Sequence, residues 1–345
     1  MRVGYTLEYD QPVDGIIDRA LRLVEAGVDD LWVPEAYGFD AVSMLGFLAA
    51  RTDHVRLGSS ILNVFSRTPT TIAQVAAGLD AVCGGRFVLG LGASGPQVIE
   101  GWHGVPYHRP LTRTRETIAV VRRAMRREVI EFHGEEITLP LPPHRGTGLG
   151  KPLKMLTRPV RDQVPIFLAA LGPASVRLAA TEADGWFPLF FQPERAQEVW
   201  GAPLGGGRAA RSSDLAPLEV VAGGRLAFVE DDMERQRALD AEKPKYALYM
   251  GGMGARGRNF YNDLVASYGF GDAAREIQDH YLAGRKGEAI ALVPDELVAA
   301  TSLIGTPNEV RERVQAFADA GVTGLNVSPR AGAEADVTRL REILG

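Results

Sequence analysis

The 345-residue chain is 46% hydrophobic and 23% charged, with a net charge of −5. This is an ordinary globular composition, and it argues against a chain-wide electrostatic surface for nucleic acid or membranes. The single cysteine, Cys83, leaves no internal disulfide, and the six histidines form no H-x-H or H-x-x-x-H pair, so no metal site is expected.

The start, MRVGYTLEYDQPVDG, has no basic region followed by an apolar run. No stretch approaches the ~18 uninterrupted apolar residues of a membrane helix, and a cytoplasmic location is expected. RVGYTL (2–7) reads as a strand. PVDGIIDRALRLVEAG (12–27) gathers Ile16, Leu21, Leu23 and Val24 on one broad face and stops at Gly27, as a helix does. The unit repeats: strand 29–34, helix 40–52, strand 55–62, helix 68–85, strand 86–92. Thr68 followed by Pro69 marks a helix start.

After a helix at 111–127, VIEFHGEEITLPL alternates as a hairpin turning at His133-Gly134-Glu135, an insertion at 128–142. Strand 164–171, helix 173–183 and strand 184–191 follow. The Gly-, Arg- and Ser-rich stretch 201–219 is expected to be a mobile loop. VVAGGRLAFVE then leads into a mostly helical insertion, 230–300, before TSLIG, a helix at 307–321 and a strand at 323–329. Near-continuous apolar strands separated by helices indicate a parallel sheet covered on both faces. Close to eight such units in one domain, 1–345, predict an α/β fold, a (β/α)8 TIM barrel with a helical insertion and a small hairpin.

Residues 90–95, GLGASG, form a literal G-x-G-x-x-G. A dinucleotide loop needs its third glycine to open a helix and an acid ending a second strand about 20 residues on. Here PQVIEGWHGVPYHRP reads as loop, and the acid position falls inside a helix near Glu116. What remains is a strand of small residues, either admitting a planar ligand to the backbone or simply crowding the barrel interior.

LWVPEAYGFDA, VRLGSSILNVFSRTPTTIAQ, GGRFVLGLGASGPQVIEGWHG and IFLAALGPASVRLAATEADGWFP, in that order, resemble the luciferase-like monooxygenase superfamily. With YALYMGGMGARGRNFYNDLVASYGF and IGTPNEVRERVQAFADAGVTGLNVSP, the chain looks more narrowly like the actinobacterial oxidoreductases that use coenzyme F420, a deazaflavin.

The resemblance implies a bacterial luciferase-like barrel holding the deazaflavin at its C-terminal face. Glu35 is then the acid at the ring, able to relay or accept a proton. Relatives that oxidise sugar phosphates follow this acid with histidine, whereas this chain has Ala36. That departure argues against such substrates. The resemblance places a non-prolyl cis peptide at Ser60-Ile61 behind the ring, and Gly92, Ala93 and Ser94 beside the coenzyme. It seats the coenzyme phosphate on Ala170, Leu171, Gly172, Pro173 and Ala174 at a helix start. Trp102 and His103 are substrate candidates. Arg256 and Arg258, with Lys243 and Lys245, form a local basic excess that suits the acidic oligoglutamate tail of the coenzyme or a substrate carboxylate.

The implied activity is hydride transfer between C5 of F420 and an electron-poor carbon of a C=C or C=N bond in a small organic molecule, in a homodimer. The alternatives are an FMN-dependent monooxygenase on the same barrel and a barrel that binds a coenzyme without turnover.

Overall fold

A computed structural model describes residues 1–345. Eight strands carry the architecture: β1 (Arg2–Thr6), β2 (Asp30–Val33), β3 (Arg56–Ser59), β4 (Phe87–Gly92), β5 (Ile166–Ala169), β6 (Gly185–Phe187), β7 (Glu219–Ala222) and β8 (Gly324–Asn326). Each pairs in parallel with the next, and β8 pairs back onto β1. The sheet therefore closes into the expected barrel.

Around it run α1 (Val13–Glu25), α2 (Ala41–Ala49), α3 (Pro69–Val82), α4 (Pro110–Met125), α5 (Pro173–Glu182), α6 (Pro193–Ala209), α7 (Pro307–Asp319) and α8 (Glu334–Leu344). Helices α3 to α7 all open on proline, whose missing N–H is no loss in a first turn. Thr68 caps α3, and Thr306 with Glu309 forms a reciprocal capping box on α7.

The barrel interior is aromatic. Trp32, Phe167 and Phe187 pack with Val88 and Val221, and Ile61 lies against them. Glycines make room: a Cβ on Gly58 would stand 2.3 Å from the Trp32 ring, and one on Gly185 2.6 Å from Phe167. At the N-terminal end Arg56 donates to both oxygens of Asp30 at 2.9 Å and to Glu219 at 3.0 and 3.1 Å. Its guanidinium lies 5.5 Å from the Trp32 ring centre and 5.4 Å from that of Phe167. This end is thereby plugged, leaving the opposite, C-terminal end as the mouth.

Beyond β7 the chain continues as Arg225–Phe228, which pairs with Leu303–Gly305 and Ser328–Pro329. Between Phe228 and Leu303 run the helices Asp232–Ala247, Phe260–Val265, Gly271–Leu282, Lys286–Ala291 and Asp295–Ala300. A short antiparallel pair, Phe132–His133 with Thr138–Leu139, follows α4. Its turn is built on Glu116, a buried α4 carboxylate that accepts the backbone N–H groups of Glu135, Glu136 and Ile137 at 2.7, 3.0 and 2.8 Å.

Two local expectations fail. The stretch 201–219 is not a mobile loop throughout: 201–209 completes α6. Its glycines serve close helix packing, since a Cβ on Gly207 would lie 2.5 Å from that of Ala180 on α5. Gly95 does open a helix, Pro96–Gly101, because Pro96 suits the first helical position. The dinucleotide reading still fails, as Glu116 lies within α4 and caps the hairpin turn. No helix is long and apolar enough to cross a membrane.

Candidate active site at the barrel mouth

The glycines of β4 divide their duties. A Cβ on Gly90 would stand 1.8 Å from the Ser59 carbonyl oxygen, and the Ser59 hydroxyl both donates to the Gly90 carbonyl (2.9 Å) and accepts its N–H (3.0 Å). Gly90 thus knits β3 to β4. Gly92 faces Ile61, whose side-chain carbons lie 3.0 Å from a notional Cβ, with the Ala169 Cβ at 3.5 Å. The Ser60–Ile61 peptide is cis. Ile61 and Ala93 are half-buried, and Ala169, though it ends a barrel strand, is exposed. Together they form an uncharged shelf at the mouth.

Ser94 adopts φ 58°, and its carbonyl accepts the Tyr107 hydroxyl at 3.0 Å. Tyr107 stacks on Phe65 with ring centres 5.2 Å apart. Asn63, fully buried and in register with Gly92, lies with its Nδ2 3.3 Å from Nε2 of His103. Its neighbour in sequence behaves differently: Trp102 is 66% exposed.

Glu35 follows β2 and is charge-compensated. Arg67 donates to its Oε1 at 2.5 Å and its Oε2 at 2.9 Å, and the Ala41 N–H at the start of α2 donates to Oε2 at 2.9 Å. The carboxylate in turn raises the Arg67 guanidinium above its ordinary value. Arg67 was missed from sequence, although it is the one cation in the quoted NVFSRTP.

The turn 170–174 has an unusual support. The indole of Trp186 donates to the Ala170 carbonyl (2.8 Å) and that of Trp200 to the Leu171 carbonyl (3.2 Å). In a trans peptide the following N–H points opposite to the carbonyl. The N–H groups of Leu171 and Gly172 are therefore turned away from the tryptophans. Gly172 caps α5 without a side-chain hydrogen bond, Pro173 and Ala174 are exposed, and no acid lies in the first turn. An anion fits such a helix start.

The insertion supplies an aromatic wall. Phe190 stacks on Tyr246 at 4.3 Å and meets Tyr249 edge-on at 5.6 Å, and Tyr249 meets Tyr261 at 4.8 Å. Burial pushes the Tyr246 and Tyr261 hydroxyls well above their ordinary range. The Met253 carbonyl lies 3.9 Å from a notional Cβ on Gly95, so this part of the insertion reaches the β4 loop.

The basic excess inferred from sequence is largely neutralised. Lys243 pairs with Asp240 and Asp295, Lys245 with Glu242, and Arg256 with Asp279. Asp240 and Glu242, three residues away on the same helix, and Asp295 and Asp279, distant in sequence, cancel the local run. Arg258 is exposed and has no ion pair. A separate cleft of about 640 Å³, lined by Phe228, Arg311, Arg330, Asp336 and Arg339 among others, lies away from the shelf.

Comparison with known proteins identifies the family and the fold. Residues 1–324 match the family described as luciferase-like monooxygenase. Over 336 residues, 95% of each chain, the sequence is 39% identical to a Mycobacterium tuberculosis protein whose name assigns it provisionally to the coenzyme F420-dependent oxidoreductases. It is 28% identical to 5,10-methylenetetrahydromethanopterin reductase of Archaeoglobus fulgidus, over 87% of this chain and 84% of that one. The coenzyme F420-dependent tetrahydromethanopterin reductase of Methanopyrus kandleri shares the fold, with a TM-score of 0.77 at 21% identity over 98% of this chain and 96% of that one. With its closed barrel and a family match over residues 1–324, the chain belongs to the luciferase-like monooxygenase family.

Proposed function

We propose that this protein is a coenzyme F420-dependent oxidoreductase that transfers a hydride between the deazaflavin and an electron-poor carbon, of a C=C or C=N bond, in a small organic substrate. The observation that carries the reading is the pairing of an uncharged shelf, Ile61–Gly92–Ala169, with the outward amides of 171–172 at the start of α5. The shelf suits a flat ring, and the α5 start suits its phosphate. The 39%-identical relative supports F420 as the coenzyme.

When bound, the deazaflavin supplies the redox chemistry as a hydride donor or acceptor at C5. The chain's own residues do the rest. Ile61 would back the ring face, Gly92, Ala93 and Ser94 would border it, and the turn 170–174 would hold the phosphate. Glu35, held by Arg67 and the start of α2, would wall the ring edge rather than offer a free base. The tyrosines of the insertion exclude water from the far side. Trp102 and Arg258, both exposed, are placed to meet substrate only from the rim.

The deciding experiment titrates the protein separately with oxidised F420 and with FMN, following tryptophan fluorescence. Saturable binding of F420 alone supports the proposal. Binding of FMN alone moves the activity to a flavin enzyme, and binding of F420 without turnover of any electron-poor acceptor makes the barrel a coenzyme carrier. The proposal includes a homodimer, supported by Phe47 on α2 and Val82 on α3, 43% and 63% exposed. Sedimentation at micromolar concentration tests it.

A further inference from the structure

We propose that His103 serves as an uncharged hydrogen-bond donor through Nδ1–H, and that Asn63 is the positioning residue that fixes this tautomer. The idea rests on the oxidoreductase reading for its chemical consequence, but its geometry stands alone.

The Asn63 amide can be oriented without ambiguity. One end accepts two backbone donors, the N–H of Phe65 at 3.1 Å and that of Ser66 at 2.7 Å, so that end is the oxygen. The other end is then NH2, which donates and cannot accept, and it lies 3.3 Å from Nε2 of His103. Nε2 must offer its lone pair, since a proton there would face another N–H. A neutral imidazole with a bare Nε2 carries its proton on Nδ1.

Of the other five histidines, His144 is exposed and four meet an acid. His54, His108, His133 and His280 each face a carboxylate, of Asp53, Glu136, Glu131 and Glu288. His103 faces a donor and no carboxylate, whereas His280, which also accepts from the Arg285 guanidinium at 3.1 Å, meets Glu288 as well. That donor is buried, in register with Gly92 and two residues beyond Ile61, so the imidazole is held beside the shelf.

Such a ring polarises a bond and does not surrender a proton. As hydride adds to the electron-poor carbon, the π pair of that C=C or C=N bond moves to the neighbouring atom, or to a carbonyl oxygen conjugated with it. Nδ1–H donates to the atom that gains this charge. The proton that completes the reduction comes from water, so the imidazole is unchanged over the cycle. The missing histidine at Ala36 is thereby not replaced by another acid: the substrate class is one whose reduced product can take its proton from solvent.

The test is nitrogen-15 NMR of the histidine rings in the uniformly labelled protein, with His103 assigned by its loss in His103→Gln. The expected spectrum has a bare Nε2 and a protonated Nδ1. Asn63→Asp keeps an oxygen for the Phe65 and Ser66 amides but turns an acceptor toward Nε2, and is expected to move the proton to Nε2. With reduced F420 and 2-cyclohexenone as probe, kcat is expected to fall at least about tenfold in both variants, with F420 affinity unchanged. A protonated Nε2 in the unmodified protein, or an unchanged kcat in His103→Gln, overturns the proposal. Failure of F420 to bind a protein whose His103 shows the bare Nε2 overturns the oxidoreductase reading instead, and leaves the tautomer assignment standing.

Discussion

Glu35 and Arg67 form a two-point ion pair at the barrel mouth, with both carboxylate oxygens and both terminal guanidinium nitrogens engaged at 2.5 and 2.9 Å. Their side chains are only 7% and 18% exposed, so each is the other's charge partner in a largely desolvated place. Glu35→Gln leaves the guanidinium uncompensated and is expected to lower stability on the order of 3 kcal/mol. Thermal melts check this, and turnover checks the functional half: an unchanged rate in a folded Glu35→Gln protein removes Glu35 from the coenzyme wall.

The two β4 glycines separate structure from ligand. Gly90→Ala drives a methyl into the Ser59 carbonyl and is expected to cost 3 kcal/mol or more, roughly the upper end for overpacking. Gly92→Ala meets the flexible Ile61 side chain at 3.0 Å and the Ala169 Cβ at an ordinary contact distance of 3.5 Å. It should fold nearly normally yet bind F420 several-fold more weakly. Equal melting temperatures for the two variants contradict this division.

Glu309 gives the acid limb of stability a definite residue. The Thr306 N–H, followed by Arg235, holds its carboxyl at about 2, against an ordinary 4.5. A folded-state value below the unfolded one adds stability above the unfolded value and loses it as pH falls through the folded one. The contribution is therefore whole above about pH 4.5 and gone near pH 2. Glu309→Gln should flatten the melting temperature across that interval and lower it by a constant amount at higher pH, with the shape of the alkaline limb unchanged.

Glu116 carries the hairpin on three amides. Glu116→Ala withdraws both oxygens that accept the three bonds, and amide exchange at 135–137 should accelerate while β4 and β5 keep their protection. Global acceleration instead means that the hairpin is part of the barrel's cooperative unit.

How far the sequence could be read follows from the range of the interactions. The strands and helices of the barrel obey local periodicity, and Thr68-Pro69 or Gly27 punctuate it within a few residues. The α6 glycines misled because composition alone does not distinguish a flexible glycine from one pressed against Ala180. Family likeness pointed to Glu35 and to the turn 170–174, but what holds them is remote: Arg67 lies 32 residues from Glu35, and Trp200 lies 29 from Leu171. The Asn63–His103 contact spans 40 residues, and nothing at either position announces the other. Lys243 and Arg256 looked free for the same reason, since Asp295 and Asp279 come to them only through the packing of the insertion, whereas Lys245 pairs locally with Glu242.

The tryptophans beneath the 170–174 turn have one more property. Of the four in the chain, Trp186 and Trp200 are bonded to that turn and Trp32 is sealed in the barrel interior with Phe167, Phe187 and Ile61. Only Trp102 faces solvent to any extent. The molecule thus carries its own optical gauge, with emitters at the two ends of the proposed coenzyme seat. Silencing Trp102 alone leaves a signal whose every source lies within contact distance of the barrel that would hold the ring.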